Sequence, residues 1–233
     1  MTTYDLSASL PAISLAHRRL EQTLETLTED EARGASGLPD WTRGHLLTHL
    51  ARHAESAVRL ADGAAANVPA EQYPGGAAER NAGIEAGADR PAKELAVDVA
   101  ETNAEVERVF AAMPTEAWDR IVTFRQGDFP AARTAWTRWR EVEIHHADLA
   151  LGRFTIADWP AAFVEAHLPH ELAKLADRLP AGVAYEINGV RYGDGAPHTV
   201  AGPDFALLAW LFGRPDLAAP HLDTPAPDLP NWG

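Results

Sequence analysis

Apolar residues recur along this chain with helical spacing in four long stretches. In the first, over residues 6–27, Leu10, Ile13, His17, Leu20, Leu24 and Leu27 follow one another at steps of three and four. That spacing puts side chains on one face of a helix. Residues 28–39 are polar, hold two glycines, and read as a connection. A second helix begins where Asp40 or Thr42 can cap it and runs to about residue 64. Small residues, Pro69, Pro74 and paired glycines make 63–76 an irregular loop, with a short helix predicted at about 77–86. Pro91 stands where a first-turn proline belongs, and Leu95, Val97, Val99, Val106, Val109 and Phe110 carry a third long helix to residue 113. Residues 118–129, with Ile121 to Phe124 followed by Gln126-Gly127-Asp128, predict an extended excursion. Residues 132–151 form the fourth long helix.

After Gly152 the texture changes. Residues 157–179 read as helical, with Pro169 interrupting or kinking them. Two short β-rich runs, 183–187 and 190–192, flank Asn188-Gly189, a strong hairpin signal. Thr199 and Val200 can add a short strand, 205–212 is an apolar helix stopped by Gly213, and the tail is rich in proline. The expected fold class is α+β, with a four-helix bundle over residues 1–152 and a small α+β domain over 153–233.

Composition narrows the function. The chain of 233 residues carries a formal net charge of -14 and no basic run, which argues against nucleic acid and anionic membranes as partners. An anionic small molecule would need a local cluster of arginines. The absence of cysteine removes disulfides, thiolate ligands and a cysteine nucleophile. No stretch has the length and hydropathy of a membrane span, and the start, Met1-Thr2-Thr3-Tyr4-Asp5, lacks the basic and apolar regions of a secretory leader. A soluble, cytoplasmic protein, monomeric in our expectation, is the reading.

Two helical segments carry the candidate chemistry. His45, His49 and His53 lie at successive four-residue steps beside Leu46, Leu47 and Leu50, so the stripe points inward. Glu141 and His145 stand one turn apart on the fourth helix. One imidazole of the first stripe with this pair would make two histidines and a carboxylate, a set that holds a divalent metal and leaves a position open. Asp148, one turn further, can orient an imidazole. Glu143 and His146 point to other faces, and His167 and His170 read as surface residues.

Trp41-Thr42-Arg43 with His45-Leu46-Leu47-Thr48-His49, and Arg140-Glu141-Val142 with Ile144-His145 and Asp148-Leu149, resemble the mycothiol-dependent maleylpyruvate isomerases of the DinB-like metalloenzyme superfamily. Glu79-Arg80-Asn81 with Ile84, Trp210 with Gly213-Arg214, and the proline-rich close before Trp232 extend the resemblance over nearly the whole chain. It implies a DinB-like bundle, zinc held by His49, Glu141 and His145, and mycothiol as thiol cofactor. It marks Arg80 and Arg214 as catalytic and cofactor-binding positions that hold carboxylates of substrate or thiol, with His45 and His53 left structural. The implied reaction is isomerisation of maleylpyruvate to fumarylpyruvate by thiolate addition, bond rotation and elimination. A thiol S-transferase on the same scaffold is the nearest rival, followed by a zinc hydrolase. A non-catalytic module braced by a four-ligand metal, His53 being the fourth candidate, is a more distant one.

Overall fold

The structure, a computed structural model, describes residues 4–227 and Leu229; Trp232 lies outside them. The chain divides into two compact units, one ending at Phe154 and the other beginning at Thr155.

The first unit is the bundle. Helix α1 (Leu6–Leu24) starts at Asp5, whose carboxylate accepts the backbone N–H groups of Ser7 and Ala8. A short helix, α2 (Glu29–Arg33), interrupts the stretch expected to be a plain connection. Its cause is visible in the sequence: Thr28 and Glu31 form a reciprocal capping box. Helix α3 (Arg43–Ala66) is capped by Thr42 rather than Asp40, and it stops where Asn67 turns left-handed at φ 55°. Helix α4 (Gly76–Ala88) covers the segment expected to hold a short helix. Helix α5 (Ala92–Ala112) follows Pro91, and the excursion after it is a hairpin of β1 (Ile121–Phe124) and β2 (Gly127–Pro130), with Phe124 opposite Gly127. Helix α6 (Ala132–Asp148) ends three residues before the predicted limit, because Ala150 and Gly152 take positive φ values of 52° and 72°.

The four long helices pack in a ring: α3 against α5 and α6, and α1 against α6 and α5. Leu20, Leu46, Leu47, Leu50, Leu60, Leu95, Val99, Val106 and Val142 are completely buried between them. At roughly 2 kcal/mol for each large aliphatic side chain removed from water, this face pattern is the main force holding the bundle closed. Glu143 and His146 do turn from the α6 face that carries Glu141: Glu143 pairs with Arg19, and His146 bonds Thr23 (2.8 Å) and stacks on Phe154.

In the second unit, α7 (Ala161–Arg178) runs without a break through Pro169. The carbonyl that the proline leaves without its helical donor belongs to Glu165, and both residues are exposed, so water can replace the bond. His167, expected on the surface, is instead completely buried, with Nδ1 3.0 Å from the Phe163 carbonyl. Strands β3 (Val183–Ile187), β4 (Val190–Gly193) and β5 (Ala196–Val200) form a sheet ordered β4-β3-β5. Ile187 pairs with Val190 across Asn188 (φ 46°) and Gly189 (φ 80°), the two left-handed residues of a type I′ turn. Strand β5 lies parallel to β3 and is longer than the two residues anticipated. Helix α8 (Asp204–Leu211) buries six consecutive residues, Ala206 to Leu211, and Gly213 follows it at φ 74°. A short helix, α9 (Pro215–Ala218), precedes the tail. No helix among the described residues is long and apolar enough to cross a membrane.

Candidate metal centre

Two helices of the bundle supply the centre. On α3, His49 is buried beside Trp41, with ring centroids 5.5 Å apart. On α6, Glu141 and His145 lie one turn apart. Glu141 Oε2 is 3.0 Å from His49 Nε2 and 3.3 Å from His145 Nε2, and one ligand atom from each residue lies within 4.8 Å of the others. Two imidazole nitrogens and a carboxylate oxygen converging this closely are a donor set for a divalent metal with a coordination position to spare. His145 is held from behind: its Nδ1–H donates to the buried Asp148 carboxylate at 2.8 Å, which turns Nε2 toward the shared point.

Electrostatics agree with that geometry. Burial pushes His49 down to about 4 against the pull of Glu141, so its ring is neutral and has a lone pair to offer. Burial works against the charged form of His145 too, but hydrogen bonds to Asp148 and Glu141 outweigh it and raise its pKa. Burial opposes ionisation of Glu141, yet the surrounding histidines win and hold its carboxyl well below the usual range.

The centre opens into a pocket of about 180 Å³ lined by Tyr73, Arg80, Arg125, Arg133, Arg140 and the triad, with Phe124 of the hairpin at its edge. Arg80 enters from α4: its Nη2 is 3.2 Å from His49 Nδ1, and its guanidinium lies 5.9 Å from the Trp41 ring.

Comparisons with known proteins follow the same lines. The sequence profile described as the mycothiol maleylpyruvate isomerase N-terminal domain matches residues 13–150. The chain belongs to the mycothiol maleylpyruvate isomerase family. A crystal structure of a mycothiol-dependent maleylpyruvate isomerase superposes with a TM-score of 0.85 over 100% of both chains at 24% identity. A histidine-to-alanine mutant of a mycothiol-dependent maleylpyruvate isomerase does so equally well at 23% identity. At these identities the likeness establishes the fold. No curated protein matches the chain significantly.

Of the positions that the family resemblance marked, His49, Glu141, His145 and Arg80 are gathered at this one point. Arg214 belongs to the second unit, where it stands at the start of α9 and donates from Nη1 to the Phe212 carbonyl at 2.9 Å. The other two histidines of the stripe have their own work. His45 completes the α3 capping box with Thr42 and reaches Glu85 at 3.3 Å. His53 is buried with its Nδ1 3.5 Å from Arg138, and burial pushes it down to about 3.

Sequence reasoning passed over Tyr73, Arg125, Arg133 and Thr137, and it used Arg140 only as part of a motif. For three of these a signal existed. Residues 133, 137, 140, 141 and 145 follow helical spacing, so knowing that Glu141 faces a site implies that Arg133, Thr137 and Arg140 line it too. Tyr73 and Arg125 come from a loop and a turn, and no periodicity announces them.

Proposed function

We propose that the chain catalyses the zinc- and mycothiol-dependent cis–trans isomerisation of maleylpyruvate to fumarylpyruvate, as a cytoplasmic monomer. In this reaction a thiolate adds to the cis double bond, the resulting single bond rotates, and elimination leaves the trans isomer. The observation that carries the reading is the convergence of His49, Glu141 and His145 at an arginine-lined pocket in a chain of this family. With no cysteine in the sequence, the nucleophile has to come from outside.

His49 and His145, each through Nε2, and Glu141 would hold the zinc. When bound, zinc lowers the pKa of a thiol and polarises a neighbouring carbonyl oxygen. The residues around it divide the remaining tasks. Asp148 keeps the His145 proton on Nδ1 and so keeps Nε2 free for the metal. His49, neutral in its buried position, can donate from Nε2 to Glu141 while accepting from Arg80 at Nδ1. Once Nε2 is given over to a metal, the ring proton sits on Nδ1, and the Arg80 N–H needs another acceptor; a substrate carboxylate supplies it. Arg80, and Arg214 of the second unit, are the residues we assign to carboxylates of substrate or thiol.

The test is isomerisation of maleylpyruvate by zinc-loaded protein with mycothiol, with glutathione and with no thiol. Turnover with mycothiol alone is expected. A stable thioether as the product, or no turnover with any thiol, overturns the reaction. His49→Ala should lose bound zinc and activity together, and a variant that keeps both removes His49 from the ligand set.

A further inference from the structure

Helix α6 is buried almost all round. From Ala132 to Asp148 its only side chains that are not buried are Arg133, Thr137, Arg140, Glu141 and His145, and every one of them lines the pocket. These positions form one stripe along the helix. One end carries the metal-ligating pair. The other end, eight residues and roughly 12 Å along the axis from Glu141, carries Arg133.

Among the described residues, Arg133 lacks the carboxylate partner that several arginines of its unit have. In a chain with 34 acidic and 20 basic residues, a carboxylate is easily found for a guanidinium. Arg19, Arg33, Arg52, Arg90, Arg108 and Arg153 each have one. Arg133 does not, among the described residues, and neither does Arg125 on the turn between β1 and β2. The guanidinium of Arg133 instead lies 3.6 Å above the centroid of Phe129 and 5.2 Å from that of Phe124. The Tyr4 hydroxyl takes part of its N–H edge; stacking on a ring holds the plane and leaves the rest of that edge to bind. Apart from Glu141, no carboxylate among the described residues lines the pocket, which holds Arg80, Arg125 and Arg133. A local excess of positive charge inside a protein of formal net charge -14 selects anions for that one cavity.

We infer that Arg133 and Arg125 form a distal anion subsite that takes the far carboxylate of a short-chain dicarboxylate whose reacting end lies at the His49–Glu141–His145 centre. This deepens the reading given above and rests on it for the identity of the reacting end. The hairpin is then a specificity element: Phe124 and Phe129 orient Arg133, and the turn delivers Arg125. A guanidinium fork facing a carboxylate discriminates between a diacid and a monoacid of the same length, because only the diacid fills it.

The experiment is isothermal titration of the zinc-loaded protein with adipate, a six-carbon diacid, and with hexanoate, its monoacid counterpart. It is run alongside maleylpyruvate kinetics for wild type, Arg133→Met and Arg125→Met. Methionine keeps the apolar stem of Arg133 over the rings. Arg125 is exposed on a turn, so its variant tests the subsite without a risk to folding. Wild type should prefer adipate. Each variant should lose that preference by roughly tenfold, the size of a lost charged hydrogen bond. Hexanoate binding and zinc content should stay unchanged, and the KM for maleylpyruvate should rise with little change in kcat. If wild type isomerises maleylpyruvate and both variants keep its KM and its preference for adipate, the subsite is refuted while the reaction stands. If wild type shows no isomerisation but its preference for adipate depends on Arg133 and Arg125, the subsite stands and the reaction is refuted.

Discussion

The same bundle contains two inward polar clusters, and only one of them gathers atoms that could hold a metal. In the first, His49, Glu141 and His145 direct ligand atoms at a common point with a pocket above it. In the second, the completely buried Arg138 is surrounded by protein acceptors. Its Nε donates to His17 Nε2 (3.2 Å), Nη1 to the Leu50 carbonyl (2.9 Å) and Nη2 to Asn103 Oδ1 (2.5 Å). His17 in turn bonds Glu107 through Nδ1 at 2.9 Å, and Asn103 donates to Glu21 at 2.8 Å. Both clusters use histidine, a carboxylate and arginine, and both draw on α6. In one, each polar atom is matched by another protein atom, which ties α1, α3, α5 and α6 together. In the other, atoms that can each ligate a metal converge beside an open pocket, so a cation can take the place of the contacts between them. Function follows from that difference, and residue type alone does not reveal it. Burial lowers Arg138 to about 10, so it remains charged at neutral pH.

Breaking the sealed cluster should give the largest effect on stability. Arg138→Met removes one side chain and leaves Asn103 Oδ1 and His17 Nε2 without a donor inside the core, and the Leu50 carbonyl with only its helical donor. At about 1–3 kcal/mol for each orphaned group, before relaxation, a loss of roughly 3 kcal/mol or more is expected in urea unfolding. A midpoint equal to wild type would show that this network does not brace the bundle.

A smaller effect is expected from loosening the open cluster without removing a ligand. Asp148→Asn keeps an acceptor near His145 Nδ1 but withdraws the charge. Zinc affinity should drop by roughly 10- to 100-fold, read by competition with a chromophoric chelator, while the helical circular dichroism is unchanged. Undiminished affinity would mean that Asp148 serves the fold and not the metal.

The smallest effect sharpens the contrast through pH. Burial holds His17 at about 4, against 6.5 for a free imidazole, with Glu107 pulling the other way. Between these values the unfolded chain binds a proton that the folded chain refuses. Stability therefore falls as pH drops from 6.5 toward 4, at a slope approaching about 1 kcal/mol per pH unit. His17→Gln can bond to both Arg138 and Glu107 but cannot titrate. The stability gap between wild type and this variant should narrow from pH 7 to pH 5, and a constant gap would exclude His17 from the acid response.

Much of the local structure was legible in the residues. Alternating three- and four-residue steps marked the helices, Asn188-Gly189 marked a hairpin, and Gly213 marked the end of α8. The misses have local causes. The capping box of Thr28 and Glu31 forms a helix in a stretch that looked like a connection. Pro169 is tolerated because the unpaired carbonyl faces water, which depends on exposure and not on composition. His167 is buried because its helix face meets apolar rings such as Phe163 and Phe212, and a polar residue carries no mark of what covers it.

By itself the sequence determined which side chains share a helix face, since a period of 3.6 residues is a local property of the backbone. It put Glu141 beside His145, and Arg133 and Arg140 on the same stripe. Choosing His49 over His45 and His53 took a resemblance to a family, because all three lie on one stripe of α3. The rest was decided by the tertiary structure. Packing α3 against α6 brings His49 level with Glu141, sets His53 beside Arg138, and leaves His45 at the helix start. It also brings Tyr73 and Arg125 to a pocket with which they share no periodicity. Distances across a bundle depend on how whole helices dock, and that docking is the sum of every buried contact along them, which no short stretch of sequence contains.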